Sequence, residues 1–420
     1  MKEPSEPLSS NSYKSNDLTW EIISHRLWFK IISAFIICFT LWNFWQRGIW
    51  EPLHNMNVDF DIYCRWAKHI QAGYPYLLNG KSPDHPCFYY PPFWGLLIAP
   101  FTWIPYNIAQ ILWYGLNLFW SILFGILIWT WMKKQTHYLE NWYRYGILIL
   151  FLNFTPLFES LRHGQANMLI LLLLSAVLWL YYKKKLILAG ICLGIATLIK
   201  ILPIVLIAYW FWKKQWRLVI ASLLTILILG LGTGLITGFS TYQKFFADNQ
   251  IYFQFVKEHW NHQSNVSIYA FLRDGQAQGV FPNSLPMYRI SQMIAIALMV
   301  FLIWRIPMKT YSFLQTRLEY SLILTSMFLA VNYAEHQQYL LLFLPFALCW
   351  AYQEKLKNSI AKGLVLFSWL LIIIGFYFND LSVAVGEGFL TRYMHTYGVI
   401  LLWISLVFLL GFQREQKTKN

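Results

Sequence analysis

The run HGQANMLILLLLSAVLWLYYKKKLILAGICLGIATLIKILP, from His163 to Pro203, decides the class of this chain. A polar turn opens onto an unbroken apolar stretch, which ends at three lysines, Lys183 to Lys185. A bilayer core calls for about 20 apolar residues per helix, and basic clusters stay on the cytoplasmic side. The pattern therefore predicts a membrane helix over 165–182 with its lysine end inside. Two further helices, 186–199 and 201–212, are too short to span and form a broken hairpin with Lys200 at its tip.

The rest of the 420 residues repeats this grammar. The chain is 57% hydrophobic and only 12% charged, against about 25% charge in soluble domains. An all-α polytopic membrane protein follows, with helices expected at 27–46, 107–132, 144–159, 165–182, 186–199, 201–212, 218–237, 288–305, 318–334, 337–353, 359–378 and 392–411. Residues 1–26 and 412–420 are polar tails, the first disordered, and 27–411 forms one transmembrane domain. Of the 33 basic residues, 22 fall on the inner side when both termini are cytoplasmic. Counting Phe93–Ile104 as a full span would spoil that bias, so it is taken as re-entrant or interfacial. The net charge of +14 is dispersed between apolar runs, which fits helix orientation and not a nucleic-acid groove. There is no GxxxxGK[ST] loop, which weighs against an ATP-driven pump. The five cysteines show no metal-ligand spacing; Cys64 and Cys87 share the first outer loop and leave a disulfide open.

Every polar segment large enough to build a site faces outward: 47–106, 159–167, 238–287 and 379–391. The first carries NVDFDIYCRWAKHIQAGYPYL, residues 57–77, with Asp59 and Asp61 just past a membrane helix. A carboxylate beside a bilayer is costly without a partner or a task; the alternative is a solvated loop with incidental acids. Tyr63 and Tyr90 stand among many aromatics there, and sugars stack on such faces. The turn Glu159–Asn167 adds His163, Gln165 and Asn167 to a polar pocket or, more plainly, a polar turn. Lys200 either snorkels to the interface or meets a phosphate as a point charge. The segment 259–274 supplies His262, Gln263, Asn265, Ser267 and Arg273, of which Arg273 has the fork to clamp a phosphate. Glu335 and His336 lie at a further outer turn. Carboxylates, a lysine, an arginine and histidines on one side suit an anionic substrate borne on a lipid.

These motifs, DFDIY, AGYPYL, YYPPF, HGQANMLILLLL, IKILP, SNVSIYAFLR and the His336 turn, follow one another as in glycosyltransferase family 87. The chain resembles these integral-membrane GT-C enzymes over about residues 27–350, and is similar to polyprenyl-phosphate-mannose-dependent alpha-mannosyltransferases. The resemblance implies a GT-C-type bundle of about 12 transmembrane helices with a long first extracytoplasmic loop. It also implies a hexose donor, mannose by the family's habit, carried on polyprenyl phosphate, and a lipid or glycan acceptor outside a bacterial inner membrane. Transfer is expected to be inverting and metal-independent, without cofactor, by a monomer embedded in membrane lipids. On the same footing Asp59 is the general base with Asp61 its rival; Lys200, Arg273 and His336 lie near the donor phosphate, and Gly164, Gln165 and Asn167 form the GQxN turn. The His336 turn reads YAEHQQY and lacks a Pro-rich, Trp-containing lead-in, which leaves sugar and acceptor open. A flippase or transporter of lipid-linked sugars is the rival class, and an assembly factor that tolerates loss of both aspartates is a third.

Overall fold

The computed structural model describes residues 28–418 except 29, 55–57, 72–89, 134–139, 259–264, 309–311, 353–355, 357 and 386–388. Among the described residues every regular element is a helix. The first, α1, runs from 30 to 54 through a π-helical stretch, Phe44–Trp50. The segment expected as the first outer loop holds α2 (Val58–Gln71) and α3 (Pro92–Ile98), the latter extended by a 3-10 turn to Trp103. Then come α4 (Tyr106–Lys133), α5 (Glu140–Leu152), α6 (Thr155–His163) and α7 (Asn167–Tyr182). They are followed by α8 (Leu186–Ile199), α9 (Ile204–Trp212) and α10 (Trp216–Thr237). The expected outer segment 238–287 contains α11 (Ser240–Glu258) and α12 (Ile268–Ala277). After α13 (Met287–Arg305) and α14 (Phe313–Ala330), a 3-10 helix, His336–Leu342, leads into α15 (Phe343–Ala351). The last helices are α16 (Ser359–Val385), the short α17 (Phe389–Arg392) and α18 (Met394–Thr418).

Among the described residues, five helices are long and apolar enough to cross a membrane: α4, α10, α13 and the stretches Ser359–Phe376 and Met394–Gly411 of α16 and α18. Much of their surface is open. On α10, Ile220, Leu223, Leu224, Leu227, Ile228, Leu231 and Leu235 form one exposed apolar stripe, a surface stable only against lipid. The helices at the centre are of another kind. α14 is buried almost without break from Gln315 to Leu329, although it carries Glu319, Thr325 and Ser326, so it is enclosed by protein on all sides. Its buried carboxylate is satisfied locally: Glu319 pairs with Lys213 at 2.6 Å and accepts from Tyr209 (3.0 Å) and Gln315 (2.8 Å).

Helix boundaries depart from the sequence expectation where a side chain competes with the ladder. The helix expected over 144–159 breaks after Leu152, because Asn153 turns its amide to Ile149 O (2.8 Å) and Thr40 Oγ1 (2.7 Å). Pro156 then starts α6 afresh. The helix expected over 318–334 begins earlier, at a Ser312 cap whose hydroxyl accepts from Gln315 N at 3.1 Å. The Cys64–Cys87 disulfide that the sequence left open turns on Cys87, which, like His262 and Gln263, lies outside the described residues.

Small residues set the closest helix contacts. A Cβ on Gly190 of α8 would sit 2.4 Å from Leu218 O of α10, and one on Gly194 would sit 2.8 Å from Ser222 O. This is the small-xxx-small arrangement that lets backbones approach in lipid. Gly375 and Gly398 do the same between α16 and α18. Gly190→Leu should therefore part α8 from α10 and cost about 1–3 kcal/mol. Thermal unfolding in detergent checks it; an unchanged midpoint would show that the contact is not tight.

Candidate functional site

The amphipathic period of α2 separates the two aspartates. Phe60, Tyr63, Trp66, Ala67 and Ile70 are buried and pack under α3, where Gly95 leaves room for Trp66 and Ile70. Residues two apart on a helix lie on nearly opposite faces. Asp59, four before Tyr63, faces the interior. Asp61 instead pairs with Arg65 at 2.8 Å, both side chains nearly half exposed.

The turn between α6 and α7 meets Asp59 from the other side. Gly164 ends α6 in the left-handed region (φ 66°, ψ 33°), and its carbonyl accepts from Trp113 Nε1 at 2.7 Å. That sharp reversal directs Gln165 inward. Gln165 Nε2 donates to Asp59 Oδ2 at 2.5 Å and reaches Glu335 Oε2 at 3.4 Å. Gln165 Oε1 accepts from Asn167 Nδ2 at 2.5 Å, and the same nitrogen donates to Gln337 O at 3.0 Å. Lys200 Nζ donates to Asn167 Oδ1 at 3.4 Å and stands over the Tyr90 ring, 5.9 Å from its centroid. Tyr63 OH donates to Tyr90 OH at 2.9 Å, with Trp94 edge-on to Tyr63. One connected layer thus holds Asp59, Gln165, Asn167, Lys200, Glu335, Tyr63 and Tyr90.

The two carboxylates of this layer differ. Glu335 accepts from Tyr333 (3.2 Å), Gln337 (2.9 Å) and Gln338 (3.3 Å) as well as Gln165. Among the described residues Asp59 accepts one hydrogen bond, from Gln165. Burial, and next the charge of Glu335, raise the Asp59 carboxyl to about 6, against smaller opposing pulls from His163, Gln165 and Lys200. Lys200, at the break between α8 and α9 and outside the five apolar spans, is lowered by burial to about 8, with Glu335 and Asp59 opposing.

His163 and His336 occupy an adjoining layer. Glu159 pairs with Arg162 at 3.0 Å and His163 at 3.5 Å. Burial opposes charge on His163, but the Glu159 hydrogen bond and the charge of Asp59 raise it overall. His336 is buried with its Nδ1 3.1 Å from His395 Nε2, and burial lowers it to about 4, so its imidazole is neutral. Arg273 lies on α12, where Nη1 donates to Gln276 Oε1 at 2.6 Å, while the adjacent Asp274 pairs with Arg392 at 3.5 Å. The hydrogen bonds that join Asp59, Gln165, Asn167 and Lys200 are made by those residues themselves. Asn265 is a clasp: its Oδ1 accepts from Ser267 N (3.2 Å) and Ala334 N (3.3 Å), which fixes the strand-like approach to Glu335.

Sequence reasoning noticed Glu335 but gave the neighbouring His336 the chemical role. His395 had no local signal; it reaches His336 because Gly375 lets α18 approach α16. Buried and semi-buried, the joint layer offers a carboxylate with spare acceptor capacity, a cation across from it, and an aromatic wall.

Comparison with known proteins follows this geometry in part. The model of Glycosyltransferase family 87 matches residues 88–331, a stretch that carries Tyr90, Gln165, Asn167 and Lys200; Asp59 and Glu335 flank it. Two curated relatives are named polyprenol-phosphate-mannose-dependent alpha-(1-2)-phosphatidylinositol pentamannoside mannosyltransferase. The one from Mycobacterium tuberculosis (strain CDC 1551 / Oshkosh) is 26% identical over 162 residues, 36% of this chain and 35% of that protein. The one from Mycolicibacterium smegmatis (strain ATCC 700084 / mc(2)155) is 27% identical over 177 residues, 39% of this chain and 40% of that protein. The matches thus span less than half the length of these relatives.

The left-handed Gly164 is the local pivot of the layer. A side chain there costs about 1–2 kcal/mol, so Gly164→Ala should lower the thermal midpoint and Gly164→Asn should lower it less. Equal midpoints for all three proteins would show that the turn relaxes without penalty.

Proposed function

The chain belongs to glycosyltransferase family 87, and from that membership we propose that it transfers a hexose, mannose first among candidates, from polyprenyl phosphate to a hydroxyl of an extracytoplasmic lipid or glycan. The reading places the chain in a bacterial inner membrane with both termini cytoplasmic and the Asp59 layer outward. The observation that carries the mechanism is the pairing of an under-coordinated Asp59 with Lys200 across a Gln165–Asn167 relay.

Asp59 takes the proton of the acceptor hydroxyl as its oxygen attacks the anomeric carbon. The new C–O bond forms as the bond to the phosphate oxygen breaks on the opposite face, and polyprenyl phosphate leaves with the electron pair. The configuration inverts. Lys200 stabilises the leaving phosphate, a charge that grows in the transition state, which supports a metal-independent reaction. Tyr90 and Tyr63 supply the wall against which the sugar lies. Asp61 is engaged with Arg65 at the surface and has no part in this scheme. His336, neutral and paired with His395, and Arg273, engaged with Gln276, hold the adjoining layer in place. A phosphatidylinositol-linked acceptor is the first to try, because the matched relatives carry that acceptor in their names. A flippase needs no base, and nothing in the Asp59 layer favours that rival.

The test is transfer of labelled mannose from synthetic polyprenyl-phosphate mannose to extracted envelope lipids by purified protein. Asp59→Asn should lose about 10²–10⁴-fold in rate, with Asp61→Asn near wild type. An active Asp59→Asn protein would refute the assignment.

The pH profile tests the electrostatics separately. A base with its carboxyl near 6 and a cation near 8 give a bell, with kcat/KM falling below about 6 as Asp59 protonates and above about 8 as Lys200 discharges. Glu335 raises both groups, so Glu335→Gln should move both limbs to lower pH. Limbs that stay in place would show that other groups govern the rate.

A further inference from the structure

At the end of α7 and α14 away from the Asp59 layer lies a cavity of about 140 Å³, lined by Thr130, Trp131, Trp179, Tyr182, Lys183, Arg317 and Tyr352. We propose that it binds the phosphate headgroup of an anionic phospholipid in the leaflet opposite the Asp59 layer.

The position comes first. α7, a helix of 16 residues, starts at Asn167 in the Asp59 layer and ends at Tyr182 in this cavity. At 1.5 Å per residue that is roughly 24 Å, close to the thickness of a hydrocarbon core. α14 runs the other way, from Phe313 beside Tyr182 (ring centroids 4.7 Å apart) to Ala330, five residues before Glu335. The two sites therefore sit at opposite membrane faces whichever way the chain is inserted. Trp131, Trp179, Tyr182 and Tyr352 around the cavity are the residue types that settle at headgroup level.

The chemistry comes second. The Arg317 guanidinium lies 4.4 Å from the Tyr352 ring centroid and 5.3 Å from that of Tyr182. Aromatic faces hold a guanidinium by its plane and leave its N–H edge for a bidentate acceptor. Among the described residues Arg317 makes no hydrogen bond and no ion pair. Contrast Lys213, which meets Glu319 two residues along the same helix and is closed off by it; the Glu319 carboxylate serves the other face of α14. Lys183, over the Trp179 ring at 5.8 Å, and Lys184, over the Phe313 ring at 5.6 Å, add positive charge at the rim. A cluster of this kind between helices attracts anionic headgroups. A bidentate cation, interfacial aromatics and a basic rim favour a lipid phosphate over a soluble one, since the rim sits where lipid headgroups are.

Native mass spectrometry of the full-length protein in detergent, with phosphatidylglycerol against phosphatidylcholine of the same acyl chains, tests this. Wild type should retain phosphatidylglycerol preferentially. Arg317→Met should weaken that retention about tenfold or more, the loss of one charged hydrogen-bond pair. Lys183→Gln, at an exposed position, should weaken it less and keeps the test open if Arg317→Met fails to fold. Asp59→Asn should retain the lipid as wild type does, which separates this site from the transferase reading. Three results would overturn the proposal: equal retention of the two lipids, wild-type retention by folded Arg317→Met or by Lys183→Gln, or displacement of phosphatidylglycerol by inorganic phosphate at similar concentration.

Discussion

One side-chain amide holds the Asp59 layer together. Gln165 Nε2 lies between the carboxylates of Asp59 and Glu335, and its Oε1 is tied to Asn167, which in turn meets Lys200 and the Gln337 carbonyl. Four stretches of chain far apart in sequence converge on that amide. Two carboxylates side by side in a poorly solvated place repel, and only donors and a nearby cation make the arrangement stable. The asymmetry between them follows. Glu335, with donors from Tyr333, Gln337 and Gln338, is the better satisfied charge; Asp59, with one, is left with a raised carboxyl and lone pairs to offer. That raised carboxyl is the product of burial first and of the neighbouring Glu335 charge second, not of any property of aspartate.

Positioning of that amide depends on backbone geometry well outside the layer. Gly164 must take a left-handed conformation for the chain to reverse, and Trp113 of α4 holds its carbonyl. Asn265 holds Ala334, and with it the approach to Glu335. Tyr339 and Thr396 both donate to Val266 O, which binds the segment from Asn265 onward, the 3-10 helix and α18 into one support. The segment from Asn265 onward, read from sequence as a source of pocket and phosphate-binding side chains, also fixes backbone through Asn265 and Val266.

What the sequence made legible was class and chemistry type; what it hid was partnership. The apolar runs, their basic ends and the polar turns between them follow from local composition, so the all-helical architecture with apolar helices could be read directly. The separation of Asp59 from Asp61 on two faces of one helix was also within reach. Phe60, Tyr63, Ala67 and Ile70 recur at helical spacing, and treating 57–77 as a loop concealed that the two acids face opposite ways. The role of Glu335 was beyond reach, because it rests on a hydrogen bond to a residue 170 positions away. His395 is a similar case. Its approach to His336 needs Gly375 on a third helix, and no local pattern announces such a contact.

The polar ends of α14 show how one buried helix can serve both faces of a membrane protein. Its centre, from Ser321 to Leu329, is enclosed, and Tyr320 OH donates to Leu174 O of α7 at 3.1 Å, which pins the two helices together midway. A rigid, doubly anchored axis of this kind keeps Glu335 in register with Gln165, since α7 carries the Asn167 end and α14 leads into the Glu335 end. Breaking a buried pair such as Lys213–Glu319 would strand a charge at several kcal/mol. Its value is therefore less a gain in stability than a fixed depth for α14 along α9. Depth matters because a slip of one residue, about 1.5 Å, would exceed the tolerance of the 2.5 Å contact between Gln165 and Asp59. The chemistry at one face is in this sense set by charges paired at the other.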